Sequence, residues 1–140
     1  MSSVESEQSR GMLDTSTVIL LGSLAAEDLP EDAVISAITL AELSVGPLVA
    51  ASASERSDRQ QHVQQAEADF QALPFDADCA RTFGAVAAAL RAGGRKPAAR
   101  AYDALIAASA IAYGVPLFTC NPGDFAGIPA LDLRAVPLPE

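Results

Sequence analysis

The chain has 140 residues, half of them hydrophobic, with 9 basic and 18 acidic side chains and a formal net charge of −9. That length fits one domain with a core of its own, and the apolar half excludes an intrinsically disordered protein. The charge has the wrong sign for a general grip on nucleic acid, although bound divalent ions reverse the field inside a cleft.

Residues 1–11 are polar and carry no period, so a disordered extension is expected before a single domain over 12–140. A short strand at 12–14 should feed a helix from about Ser16, capped by Thr15 or Ser16. AVISAI, residues 33–38, reads as a buried β-branched strand. Thr39 and Glu42 in TLAEL have capping-box spacing and open a helix that Gly46 and Pro47 should kink or end. A polar helix follows, with Val63, Ala66 and Phe70 as one buried stripe. LPF, 73–75, is the third strand. Asp76 or Asp78 caps the next helix, in which Ala80, Phe83, Ala87 and Leu90 keep helical period and Gly93 and Gly94 form the end. Residues 98–113 make a strongly apolar helix closed by Gly114. VPLFT is the fourth strand, NPGD a turn and LDLRAV the fifth strand. Strands alternating with helices point to a three-layer α/β/α sandwich around a mostly parallel sheet.

Ligands of such sheets bind beyond the carboxyl ends of the strands. Asp14 follows the first strand, Glu42 sits in the first turn after the second, Asp124 follows the fourth, and Asp103 reaches the same edge if it starts its helix. Each acid also has a local reading. Glu42 completes a capping box, Asp14 is a turn residue, and Asp124 ends a Pro-Gly type II turn. Asp103 stands in an otherwise apolar helix, where Asp is a poor helix former, unless it serves the helix start. Gathered together, four carboxylates repel one another unless a cation shares the space. Magnesium and manganese favour such oxygen ligands, and two ions about 4 Å apart activate water and stabilise the leaving oxygen of a phosphodiester. Ser16, Thr119 and Asn121 are placed to orient carboxylates or water. Arg95 and Arg100, in the basic stretch RAGGRKPAAR, are candidate phosphate contacts.

Other chemistries lack their residues. One histidine, His62, excludes a two-histidine ribonuclease mechanism, and Cys79 and Cys120 show no zinc spacing. There is neither a phosphate-binding GxxxxGK[ST] loop nor a GxSxG elbow. A receiver domain would need a lysine at the end of the sheet, whereas Lys96 is followed by Pro97. A haloacid-dehalogenase-type phosphatase needs a second Asp where Ser16 stands. No apolar run reaches the roughly 18 residues of a membrane span, and residues 1–11 lack a signal-peptide pattern, so the expected location is cytoplasmic.

LDTS, ITLAEL, LPFD, YDALIAASA and LFTCNPGDF, in that order and spacing, resemble the PIN-domain ribonucleases, specifically the VapC-type toxins of bacterial toxin–antitoxin pairs. The resemblance runs from about Met12 to the C-terminus. It implies a PIN-like fold and a Mg2+- or Mn2+-dependent endoribonuclease. Asp14, Glu42, Asp103 and Asp124 match the acidic quartet that holds metal and catalyses, and Thr119 and Asn121 match the polar TxN pair. It also implies a homodimer whose cleft is blocked by a cognate VapB-type antitoxin. The competing expectation is a catalytically weak PIN-fold binding module that acts mainly through its antitoxin complex.

Overall fold

The computed structural model describes residues 9–96 and 100–139. Five strands form one sheet: β1 (Arg10–Leu13), β2 (Asp32–Ser36), β3 (Gln71–Leu73), β4 (Leu117–Thr119) and β5 (Leu133–Ala135). Their spatial order is β3-β2-β1-β4-β5. Every pairing is parallel, so the sheet is wholly parallel rather than mostly so. The helices are α1 (Thr15–Ile19), α2 (Ala37–Leu48), α3 (Ala53–Asp69), α4 (Ala77–Ala92) and α5 (Ala101–Tyr113).

Alternation along the strands explains the layers. Successive side chains leave a strand on opposite faces. Met12 and Val34 join Val86 and Leu90 of α4 and Ile106 and Ala107 of α5 in one core. Their neighbours Leu13 and Ile35 join Val18 of α1, Leu43 of α2 and Val63 and Ala66 of α3 in the other. A sheet covered on both faces needs apolar residues at consecutive positions, and β1 and β2 have them. Small residues let α5 approach closely: Ala104, Ala107, Ala108 and Ala110 are buried. The hydroxyls of Ser36 and Ser109 meet at 3.1 Å across that contact.

Several boundaries differ from the sequence expectation. β1 starts at Arg10, two residues inside the expected extension, because Arg10 and Gly11 pair with Asp32 and Ala33. The expected disorder of residues 1–8 lies outside the described residues, as do Pro97, Ala98 and Ala99 of the basic stretch and its flank. Asp14, not Thr15 or Ser16, caps α1. Ser36, not Thr39, caps α2, by accepting from the backbone N–H of Ile38. Thr39 is buried within that helix, so no capping box with Glu42 forms. α2 continues through Gly46 and Pro47 to Leu48, since a proline in the last turn removes only one ladder bond. Asp76 caps α4, whose buried positions are Cys79, Val86 and Leu90, while Ala80 is exposed. Both cysteines are buried and unbridged. The NPGD turn is a short 3-10 helix over Pro122–Phe125.

Candidate active site

Asp14, Ser36 and Thr119 mark the carboxyl ends of β1, β2 and β4. The strand order reverses direction between β1 and β4, the place where open parallel sheets leave a crevice. Asp14 and Thr119 meet there, the threonine hydroxyl donating to Asp14 Oδ2 at 2.8 Å.

Asp14 is 4% exposed and held by four donors. Oδ1 accepts from the backbone N–H of Thr17 at 3.1 Å and from the Thr17 hydroxyl. Oδ2 accepts from Thr119 and from the Ser16 hydroxyl, 3.0 Å away. Asn121 braces both of those donors. Its backbone N–H donates to Thr119 Oγ1 at 2.9 Å and its side-chain amide to Ser16 Oγ at 3.0 Å. The three residues singled out as orienting groups therefore form one network around Asp14.

Glu42, half-buried on α2, accepts from the Thr15 hydroxyl at 2.7 Å. Thr15 also lies 3.2 Å from the Thr39 hydroxyl. Thr15, Thr17 and Thr39 were missed as members of the site. The signal available was DTST, where an acid at a helix cap is followed by three hydroxyls and the third is placed to meet the cap.

Asp103 occupies the first turn of α5, as the sequence reading required. Its carboxyl is pushed up to about 6, first by burial and then by the charges of Asp124, Glu42 and Asp14, in that order, while Arg100 opposes the rise. Asp124 stands on the 3-10 turn beside Phe125, whose side chain is 1% exposed and anchors the turn in the core. The Arg100 guanidinium reaches Asp124 at 2.7 Å and Asp103 at 3.7 Å. Arg95, Lys96 and Arg100 line a cavity of about 260 Å³ together with Asp103 and Asp124. The single histidine, His62, is half-buried and lines a different cavity, with Glu42 and Arg59.

The sequence matches the PIN domain over residues 12–131. The chain belongs to the PIN-domain family. Among its relatives, Ribonuclease VapC5 of Mycobacterium tuberculosis is 36% identical over 121 residues, which span 84% of this chain and 87% of that protein. Ribonuclease VapC of Rickettsia bellii is 30% identical over 133 residues, 92% of this chain and 98% of the relative. The fold is similar to the crystal structure of VapBC-5, a member of the VapBC family of toxin–antitoxin systems from Mycobacterium tuberculosis. The TM-score is 0.76 at 32% identity, over 91% of this chain and 99% of that one. VapBC2 from Rickettsia felis, bound to a DNA fragment from its promoter, matches with a TM-score of 0.73 at 25% identity, over 91% and 98%.

The carboxylate oxygens of Asp14, Glu42, Asp103 and Asp124 are the hard donors that a divalent cation such as Mg2+ or Mn2+ favours. Burial is the main cause of the raised Asp103 carboxyl, and a cation would relieve the further part that comes from the charges of Asp124, Glu42 and Asp14. Among the described residues, no three acidic, histidine or cysteine side chains stand close enough to ligate one ion in this arrangement. The carboxylates have other partners here. A carboxylate has about four lone-pair sites, and Asp14 already satisfies four donors. Arg100 engages the two acids on the opposite side.

Proposed function

We propose that this PIN domain is a divalent-metal-dependent endoribonuclease toxin of the VapC type, acting on cytoplasmic RNA and restrained by a cognate antitoxin. The observation that carries the reading is that Asp124, Glu42 and Asp14, from three other elements, all bear on the half-buried Asp103 carboxyl at the carboxyl edge of the sheet. The VapC names of its relatives supply the substrate class.

Asp14, Asp103, Asp124 and Glu42 would hold Mg2+ or Mn2+, and the bound ion would supply a readily deprotonated water and neutralise charge on the phosphate. The residues of the chain do the positioning. Thr17 and Thr119 hold Asp14 in one rotamer, and Thr15 does the same for Glu42. Ser16, braced by Asn121, donates to Asp14 Oδ2 and fixes its orientation. Arg95 and Lys96, with Arg100, would steer the phosphate backbone through the adjoining cavity. A net charge of −9 confines that attraction to the cleft mouth.

A partner also fits the surface. Ile19, Val45, Leu48 and Val49 on α1 and around the end of α2 are exposed, with Leu48 at 85%. Exposed apolar area of this kind commonly marks an interaction site. We assign it to the antitoxin, with a homodimer as the expected toxin form, as the toxin–antitoxin complexes among the structural relatives suggest.

The test is growth arrest on expression of Asp14→Asn and Asp103→Asn. Both variants should fold and neither should arrest growth, and purified protein should lose RNA cleavage on chelation and regain it with Mg2+ or Mn2+. A double variant that stays toxic would refute the site.

A further inference from the structure

The Nη1 atom of Arg100 lies 2.7 Å from Asp124 Oδ1 and 3.7 Å from Asp103 Oδ2. One cationic nitrogen is thus placed between two carboxylates carried by different elements. A magnesium ion sits roughly 2.0–2.1 Å from a carboxylate oxygen, so an ion on the Asp124 oxygen that Nη1 now faces would meet the guanidinium. Ion and guanidinium would then claim the same space, so the two occupancies exclude each other.

The arginine is not explained by the needs of its helix. Arg100 holds the N-cap position of α5 and makes no capping bond. A positive charge there opposes the helix dipole. Nor does the ion pair contribute much to the fold, because the Arg100 side chain is 55% exposed and its partner Asp124 34%. Exposed pairs of this kind shift an equilibrium by about fivefold at most. What the position does provide is reach. Arg100 lines the same cavity as Arg95 and Lys96, and its planar fork matches a phosphate in a way the carboxylates cannot.

We propose that Arg100 is a built-in competitor of the metal, holding the cation position against Asp124 and Asp103 until an ion displaces it and then turning to the RNA phosphate at the same mouth. This rests on the reading of the crevice as a divalent-metal site. Metal and phosphate then reinforce each other's binding, since the ion releases the arginine that the phosphate needs, and linkage makes the effect reciprocal.

The experiment is calorimetric titration of Mn2+ into the whole chain, wild type, Arg100→Gln and Arg100→Lys, followed by titration of inorganic phosphate with and without saturating Mn2+. Arg100→Gln should bind Mn2+ about two- to fivefold more tightly than wild type, and Arg100→Lys should stay close to wild type. Mn2+ should strengthen phosphate binding in wild type, and that gain should shrink in Arg100→Gln. An arginine that merely props Asp124 gives the opposite sign, because its loss loosens a ligand and weakens metal binding. A misfolded variant also binds metal less, so a gain in affinity cannot arise that way. Unchanged or weaker Mn2+ binding by Arg100→Gln, beside a wild type that binds Mn2+ and cleaves RNA, overturns the competition alone. A wild type that binds no Mn2+ at millimolar concentration overturns the metal-site reading and this proposal together.

Discussion

Asp14 serves the fold and, on the proposed function, the chemistry as well, and the two roles separate by substitution. It caps α1 and closes the β1–β4 crevice through Thr119. Asn keeps an accepting oxygen for Thr17 but loses charge assistance to its hydrogen bonds, so Asp14→Asn should cost about 1 kcal/mol. Asp14→Ala also strips the cap and leaves buried hydroxyls without their acceptor, and should cost about 2–4 kcal/mol. Urea unfolding of the two variants checks the order. Asp103 behaves in the opposite sense. Its folded carboxyl titrates near 6 against an ordinary value of 3.8, because burial and then Asp124, Glu42 and Asp14 disfavour its charge. The native state therefore keeps a proton that the unfolded chain releases. Its contribution to stability is complete below about pH 4 and is lost as pH rises through 6. In EDTA at pH 7.5, Asp103→Asn should melt a few degrees above wild type, with the difference vanishing near pH 4. A variant that is inactive yet more stable marks a residue kept for function at the expense of the fold.

At the scale of the elements, β1 is the keystone, paired on both sides by β2 and β4. Gly11 in its middle has no room for a side chain. A Cβ there would lie 2.5 Å from the Phe118 ring and 2.9 Å from Pro30. Gly11→Val should therefore destabilise by about 2–3 kcal/mol through overpacking, read as a lower urea midpoint with an unchanged slope. The sequence made the number, order and type of these elements legible, because period 2 and period 3.6 alternate cleanly along it. Boundaries were less legible where apolar residues run past the hydrogen-bonded ladder. Ile38 and Phe75 looked like strand and instead pack on the core from just beyond β2 and β3. Thr39 looked like a cap because its spacing to Glu42 is right, but Ser36 reaches the free N–H groups first. Pattern alone cannot tell which of two hydroxyls three residues apart opens the helix.

For the molecule as a whole, the proposed set of four acids could be read only through the parallel-sheet topology, which brings the ends of β1, β2 and β4 to one edge. Their hydroxyl supports were partly legible. Ser16, Thr119 and Asn121 belong to recognisable local patterns, while the Thr15 contact with Glu42 spans 27 residues and leaves no local trace. The position of Arg100 against Asp124 was hidden for the same reason, being set by how α5 meets the Pro122–Phe125 turn. If the proposed metal site is right, the molecule should respond to divalent ions far more than to monovalent salt. Mg2+ at a hundred times its dissociation constant should stabilise the native state by about 2.7 kcal/mol, seen as a rise in melting temperature that an equal ionic strength of KCl does not reproduce.

The seating of β1 against β4 also bears on how the protein is made. Met12 and Leu13 pair with Leu117 and Phe118, which leave the ribosome more than a hundred residues later. Asp14 and Glu42 are thus synthesised well before Asp103 and Asp124, the other half of the acidic crevice. A growing polypeptide lacks the Asp103 and Asp124 wall until those residues have emerged, so the crevice beside β1 closes long after β1 itself is made.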